Sequence, residues 1–245
     1  MARQPSAPRK SSRSRTSKRG WILRLFVWTL VFLIFFPMLE VLAVRYIDPP
    51  GTPLMLIRRM EGRVHPGAAP QRAYRWTPLQ NVSPHFLKAV WQTEDARFFA
   101  HNGFDWVEVS HAMADAERSG EPARGASTIT MQCARSLFLW QGRSWIRKPL
   151  EAYYTILMET MLTKRRIFEL YVNVIETGDG LYGVEAAAQH YWRRSAKELT
   201  TPQAVLLTAI LPNPRQRNPL QPSPKVRKRA AMIDRKLRES PRWPL

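Results

Sequence analysis

Hydrophobic residues occur along this 245-residue chain in two modes: one unbroken block near the N-terminus, and stripes at helical spacing further on. The block runs from Trp21 to Val44 and carries no charge between Leu25 and Leu39, with Arg24 and Glu40 near enough to its ends to reach headgroups. A helix of that length crosses roughly 30 Å of hydrocarbon. A cleaved signal peptide would have a shorter apolar core and a small-residue exit, so the expectation is a retained transmembrane helix over 21–44. Downstream, Ser83-Pro84 reads as an N-cap followed by proline at the first helical position, with Leu87, Val90, Trp91 and Phe98 on one face. A second helix is predicted from Pro149, with Leu150, Tyr154, Leu157 and Met161 in its stripe, and a third after Lys164, with Ile167, Leu170, Tyr171 and Val174. A fourth starts at Thr201-Pro202 and stops before Pro212. Strand signals are weak, leaving room for a small hairpin but no large sheet. Residues 45–75, rich in Pro, Gly and Arg and without a sustained period, read as a neck. The organisation expected is therefore a tail (1–20), a spanning helix (21–44), the neck, a mainly helical domain (76–215) and a basic extension (216–245).

The stripe of the first domain helix contains a polar intruder. On a wheel, Glu94 falls between Leu87 and Phe98, in the middle of the apolar face. A carboxylate buried there without a partner costs several kcal/mol. Either it is half of a buried ion pair, with Arg97 or a more distant cation, or it is a general acid or base. Asp95 lies at the stripe's edge, where local capping or pairing is the better reading. Glu151 follows Arg147 and Lys148 in RKPLE at a helix start, where the macrodipole alone favours an acid; it sits at the rim of the stripe, able to line a cleft. Arg135, Arg143, Arg147 and Lys148 recur within a short stretch, either a solvated basic face or a group of forks for phosphate oxygens. Between the acids, RGASTITMQ (124–132) reads as a loop entering a helix, with Gly125, Ser127 and Thr128 able to present N–H groups and hydroxyls to a phosphate or sugar.

Charge adds a partner class. Lys and Arg number 38 against 19 Asp and Glu, a formal net charge of +19, which calls for nucleic acid, anionic lipid or a phosphorylated substrate. Arg3, Arg9, Lys10, Arg13, Arg15, Lys18 and Arg19 precede the apolar block with no acid among them, so the positive-inside bias places the tail in the cytoplasm and the domain outside, away from nucleic acid. Cys133 is the single cysteine, and the five histidines form no i, i+4 pair, so neither a disulfide nor a protein-built metal site is expected.

Taken in order, these segments resemble the bacterial peptidoglycan glycosyltransferase family, glycosyltransferase family 51, and specifically its monofunctional biosynthetic transglycosylases. The motifs are EDARFFAHNGFD (94–105), GASTITMQ (125–132), RKPLE (147–151), KRRIFELYVNVIETGDG (164–180) and GVEAAAQHYW (183–192), followed by LPNP at Leu211. No Ser-x-x-Lys transpeptidase motif follows. Two positions depart from the family pattern: Met131 stands where a first glutamine is usual, and Arg135 where a lysine is usual.

The resemblance implies a mainly helical, lysozyme-like domain with a smaller membrane-proximal lobe. It implies polymerisation of lipid II, an undecaprenyl diphosphate bearing a disaccharide pentapeptide, into β-1,4-linked glycan at the outer face of a bacterial inner membrane. Glu94 would be the base, and Glu151, the second catalytic carboxylate, would orient the cations or stabilise the donor sugar. Arg135, Arg143, Arg147, Lys148, Ser127, Thr128 and Gln132 would bind diphosphate and sugar. Asp95, Phe98, His101, Gly103, Asp105, Gly125, Tyr171 and Asn173 would support the motifs. A magnesium or manganese ion riding on the diphosphate is compatible with this chemistry, and the sequence supplies no dedicated site for it. Anionic lipids and other cell-wall or division proteins are the further partners implied. A lysozyme-type hydrolase would also use two carboxylates, but it needs no cations for a departing diphosphate. A membrane-tethered nucleic-acid binder would account for the charge but not for Glu94.

Overall fold

The computed structural model describes residues 16–64, 73–121, 125–140, 142, 144–240 and 243–244. The first helix, α1, runs Thr16–Tyr46, and within it Gly20–Tyr46 is a 27-residue stretch of mean hydropathy 2.4, long and apolar enough to cross a membrane. Its large side chains from Trp21 to Phe36 are exposed, as expected of a surface solvated by lipid. The chain divides into two compact units, residues 1–40 and 41–245.

Within the second unit the end of α1 is tied down. The Arg166 guanidinium donates to the carbonyls of Val44 and Ile47 (2.9 and 3.1 Å) and pairs with Asp48 at 2.8 Å, while Arg45 donates to Met161 O. The neck is not wholly irregular: α2 occupies Pro53–Val64 and packs against α5 (Ile129–Phe138), with Leu54 2% exposed. The strands are few. β1 (Ala73–Tyr74) pairs in parallel with β3 (Leu181–Tyr182), and β2 (Glu176–Gly178) pairs with β3 as an antiparallel hairpin.

The rest is helical: α3 (Pro84–Glu94), α4 (Trp106–Ser119), α5, α6 (Arg147–Met161), α7 (Lys164–Val174), α8 (Val184–Trp192), α9 (Thr201–Ile210) and α10 (Pro224–Glu239). The stripe of α7 is buried as its spacing predicts, with Ile167, Leu170 and Val174 at 0% exposure. α9 occupies the span expected of it. Three local expectations are corrected. α3 ends at Glu94, so Phe98, though fully buried, belongs to a separate 3₁₀ turn. Ser83 occupies the N-cap position, but its hydroxyl donates to Leu199 O rather than capping the helix. The buried face of α6 overlaps the predicted stripe only in part: Tyr154, stacked on Phe138 at 4.5 Å, and Leu157 are buried as expected, but Glu151, Thr155 and Met158 are buried with them, and Leu150 and Met161 are only half-buried. The basic segment 216–245 carries α10, which packs on α9 and α3.

Candidate functional site

Glu94 is the last residue of α3, its side chain 12% exposed and facing a cleft of about 430 Å³. Each carboxylate oxygen has a partner: Oε1 accepts from Arg229 of α10 at 3.0 Å, and Oε2 accepts from the Gln132 side-chain amide of α5 at 3.2 Å. The opposite end of that amide, Gln132 Oε1, accepts from the Tyr171 hydroxyl at 3.3 Å. One glutamine therefore links a phenol on α7 to the carboxylate on α3. Tyr171 is 1% exposed, and burial, reinforced by the Glu94 carboxylate, holds its phenol well above the ordinary value, so it acts as a donor. The ion pair is the distant one of the two alternatives, because Arg97 is engaged by Asp105 at 3.1 Å.

The residues around Glu94 form a hydrogen-bonded floor. Asp95, 8% exposed, accepts from His101 Nε2 at 3.0 Å and from the backbone N–H of Ile129 at 3.0 Å, tying the end of α3 to the start of α5. Gly103 donates its N–H to His101 Nδ1 at 3.1 Å, which turns Nε2 toward Asp95. Gly103 sits at φ +88°, and a Cβ there would meet Thr155 Cγ2 at 2.7 Å, so both conformation and space require glycine. Thr128 caps α5 by accepting from Met131 N–H and donates to Gly103 O at 2.6 Å. Asp105 caps α4 through the N–H groups of Val107 and Glu108. Asp95, His101 and Asp105 offer ligand atoms within 4.8 Å of one another, but each is already engaged in these bonds. Ser127 and exposed Gly125 line the cleft beside Glu94, whereas Phe98 and Asn173 lie in the scaffold. Asn173 exchanges hydrogen bonds with the backbone of Thr77 (2.8 and 2.9 Å) and so fixes the segment after β1. Cys133 is wholly buried against Ile167 O, and burial pushes its thiol far up.

A second cavity, about 460 Å³, adjoins the first, and Gln132 and Pro212 line both. It brings together Arg135 and Arg147 of the predicted cations. Arg135 has no hydrogen-bond or ion-pair partner among the described residues; Arg147 makes one long bond to Trp140 O at 3.4 Å, and its Nε is buried without a partner. Lys148 is instead half-exposed and pairs with Glu151 Oε1 at 2.8 Å; Arg143 lies outside the described residues. Glu151 lines neither cavity: it is 1% exposed in the α5–α6 packing, its Oε2 unpartnered, and not at the rim where the spacing places it. Met131, the first departure, also lines neither cavity, while the second, Arg135, does.

Arg229 is the residue that sequence reasoning missed, with Lys236 beside it in the same cleft. A signal existed. On α10 the buried residues are Val226, Ile233 and Leu237, and Arg229 and Lys236 share an edge of that stripe, as Glu94 shares the face of α3.

The domain is thus mainly helical, with the polar cleft that holds Glu94 adjoining a cavity lined by Arg135, Arg147, Arg215 and Glu176. The family model described as Transglycosylase matches residues 62–238, and the chain belongs to that family. Among its relatives are proteins named biosynthetic peptidoglycan transglycosylase from Rhodospirillum centenum (45% identical over 193 residues, 79% of this chain and 80% of the relative) and Bdellovibrio bacteriovorus (46% over 201 residues, 81% and 77%). A third, of the same name, is from Caulobacter vibrioides (43% over 215 residues, 88% and 89%).

Proposed function

We propose that this chain is a peptidoglycan glycosyltransferase that joins lipid II units into β-1,4-linked glycan for the cell wall, with Glu94 as general base. The carrying observation is the position of Glu94 in a cleft that shares Gln132 and Pro212 with a cavity where Arg135 and Arg147 have few partners. The acceptor sugar's 4-hydroxyl occupies the Glu94 cleft. As its oxygen bonds to the anomeric carbon of the donor, its proton passes to Glu94, the anomeric C–O bond to diphosphate breaks, and the centre inverts. The leaving diphosphate gathers negative charge in the second cavity, where Arg135 and Arg147 supply charged N–H donors fixed in advance. Gln132, braced by Tyr171, keeps the Glu94 carboxylate aimed. Glu151 is a positioning residue that holds Lys148. Arg135 in place of lysine preserves the charge and offers a fork in place of a point charge. A divalent ion would arrive with the diphosphate.

The apolar helix Gly20–Tyr46 fits a membrane anchor. The basic residues before it favour a cytoplasmic N-terminus and a domain at the outer face of the inner membrane, within reach of anionic lipids and of other wall-synthesis proteins. The test is incubation of the detergent-solubilised chain with labelled lipid II, followed by gel analysis and lysozyme digestion. A lysozyme-sensitive polymer is expected. Shortening of preformed glycan without polymer would instead make the chain a hydrolase.

A further inference from the structure

A third cavity, about 420 Å³, opens beside α10 and is walled by Arg217, Lys225, Lys228, Arg229 and Arg235 around Met232. No acid lines it. Lys225, Lys228 and Arg235 are exposed and have no hydrogen-bond or ion-pair partner among the described residues. Arg217 is fixed by a bond to Ala209 O at 3.2 Å, and Arg229 by its bond to Glu94. The other cations of α10 are differently disposed: Arg227 donates to Pro222 O, Lys236 donates to Gln92 O at 3.4 Å, and Arg238 pairs with Asp234 at 2.7 Å. Five like charges around one concavity repel one another, and an anion resting there removes that repulsion and gains charge-assisted hydrogen bonds.

The position of the cavity narrows the class of anion. Pro212 and Arg229 line both this cavity and the Glu94 cleft, so the two adjoin. An occupant here is contiguous with the sugar whose hydroxyl meets Glu94. In the reading given above, on which this inference rests, that sugar belongs to a disaccharide that carries a pentapeptide, and a peptide ends on a carboxylate. We propose that the α10 cavity is the subsite for the peptide of the acceptor, its carboxylates held by Lys225, Lys228 and Arg235, with Met232 supplying an apolar floor. A lipid headgroup offers similar charge, but a concavity that opens onto the reacting hydroxyl suits a substituent of the acceptor better than the plane of a bilayer.

The experiment compares the full chain with the Lys225→Gln/Lys228→Gln/Arg235→Gln variant in vesicles of fixed composition. Two substrates are used: lipid II with its free peptide carboxylates, and lipid II with those carboxylates amidated. The wild type should show a KM for the amidated substrate higher by about threefold or more, the scale of a few partly exposed charge pairs. The variant should give one shared, raised KM for both substrates, with kcat and melting temperature unchanged. Equal KM values for both substrates on the wild type, or an undiminished ratio on the variant, would overturn the proposal while leaving the polymerase reading intact. So would a loss that is equal for both substrates and scales with the anionic phospholipid content of the vesicles, which would assign the cavity to the membrane. Absence of polymer from unmodified lipid II on the wild type would instead overturn the functional reading itself.

Discussion

The two adjoining cavities treat their principal charges in opposite ways. In the first, Glu94 is held at both oxygens by Arg229 and Gln132. In the second, Arg135 and Arg147 are left with most of their donors unfilled by the protein. A base that must accept a proton along one direction gains from being fixed before substrate arrives, because each degree of freedom removed in advance is a cost avoided in the transition state. Cations meant for a departing anion gain from being unfilled, since a donor already bonded within the protein must be released before it can serve. The contrast teaches that burial and access to a cavity are separate properties of an acid. Glu151 is more buried than Glu94, yet it lines neither cavity.

The sharpest way to break this comparison is Glu94→Gln. The substitution keeps size and shape but cannot accept the proton, so polymerisation should fall by about 10²- to 10⁴-fold while the protein still folds. Rate and melting temperature measured on one preparation separate this from a structural role. If Glu94 mattered only as a partner for Arg229, stability would drop by about 3–5 kcal/mol and activity would track the folded fraction. On the other side of the comparison, Arg147→Ala and Arg135→Ala should each cost about 2–4 kcal/mol of transition-state stabilisation, read from kcat/KM, with melting temperatures nearly unchanged because neither arginine has a strong partner to lose. A large thermal shift in either variant would show that these side chains hold the fold instead.

Arg229 tests whether the two treatments of charge are linked. Its removal leaves the half-buried Glu94 with one partner, so Arg229→Ala should lower stability by about 1–3 kcal/mol by denaturant unfolding. In a double-mutant cycle with Glu94→Gln the two effects should be clearly non-additive, and strict additivity would mean that the pair contributes nothing.

How much of this was legible in the sequence depends on the range of the interaction that decides each feature. The α7 stripe is decided by local spacing and was read correctly. The α6 face is legible only in part: Tyr154 and Leu157 are buried as the spacing predicts, but the packing against α5 also turns Glu151, Thr155 and Met158 inward, which local spacing does not report. Glu94 could be singled out because an acid in an apolar stripe is a local anomaly. Its partner could not, because Arg97 is near in sequence while Arg229 arrives only when α10 packs on α3. The linkage of Glu94 to Tyr171 through Gln132 joins three helices, and no periodicity along any one of them reports it.

The smallest expected effect concerns that linkage. Tyr171→Phe removes a single hydroxyl from a fully buried site and leaves Gln132 Oε1 without its donor. A neutral hydrogen bond of this kind is worth about 0.5–1.5 kcal/mol, so the rate should fall by about threefold to tenfold, since Gln132 still contacts Glu94 but is less firmly aimed. The phenol also marks the pH range in which the bond persists. Burial raises its folded-state pKa well above that of an unfolded tyrosine. A raised folded pKa gives a contribution to stability that is complete below the unfolded value, near pH 10, and is lost as pH climbs toward the folded one. The wild type should therefore lose stability on raising the pH above about 10, and Tyr171→Phe, with nothing to ionise there, should lose less. Melting temperatures of both proteins from pH 8 to pH 11 give the comparison. Parallel alkaline slopes would show that Tyr171 does not control that limb, and an unchanged rate for the variant would show that Gln132 aims Glu94 without its help.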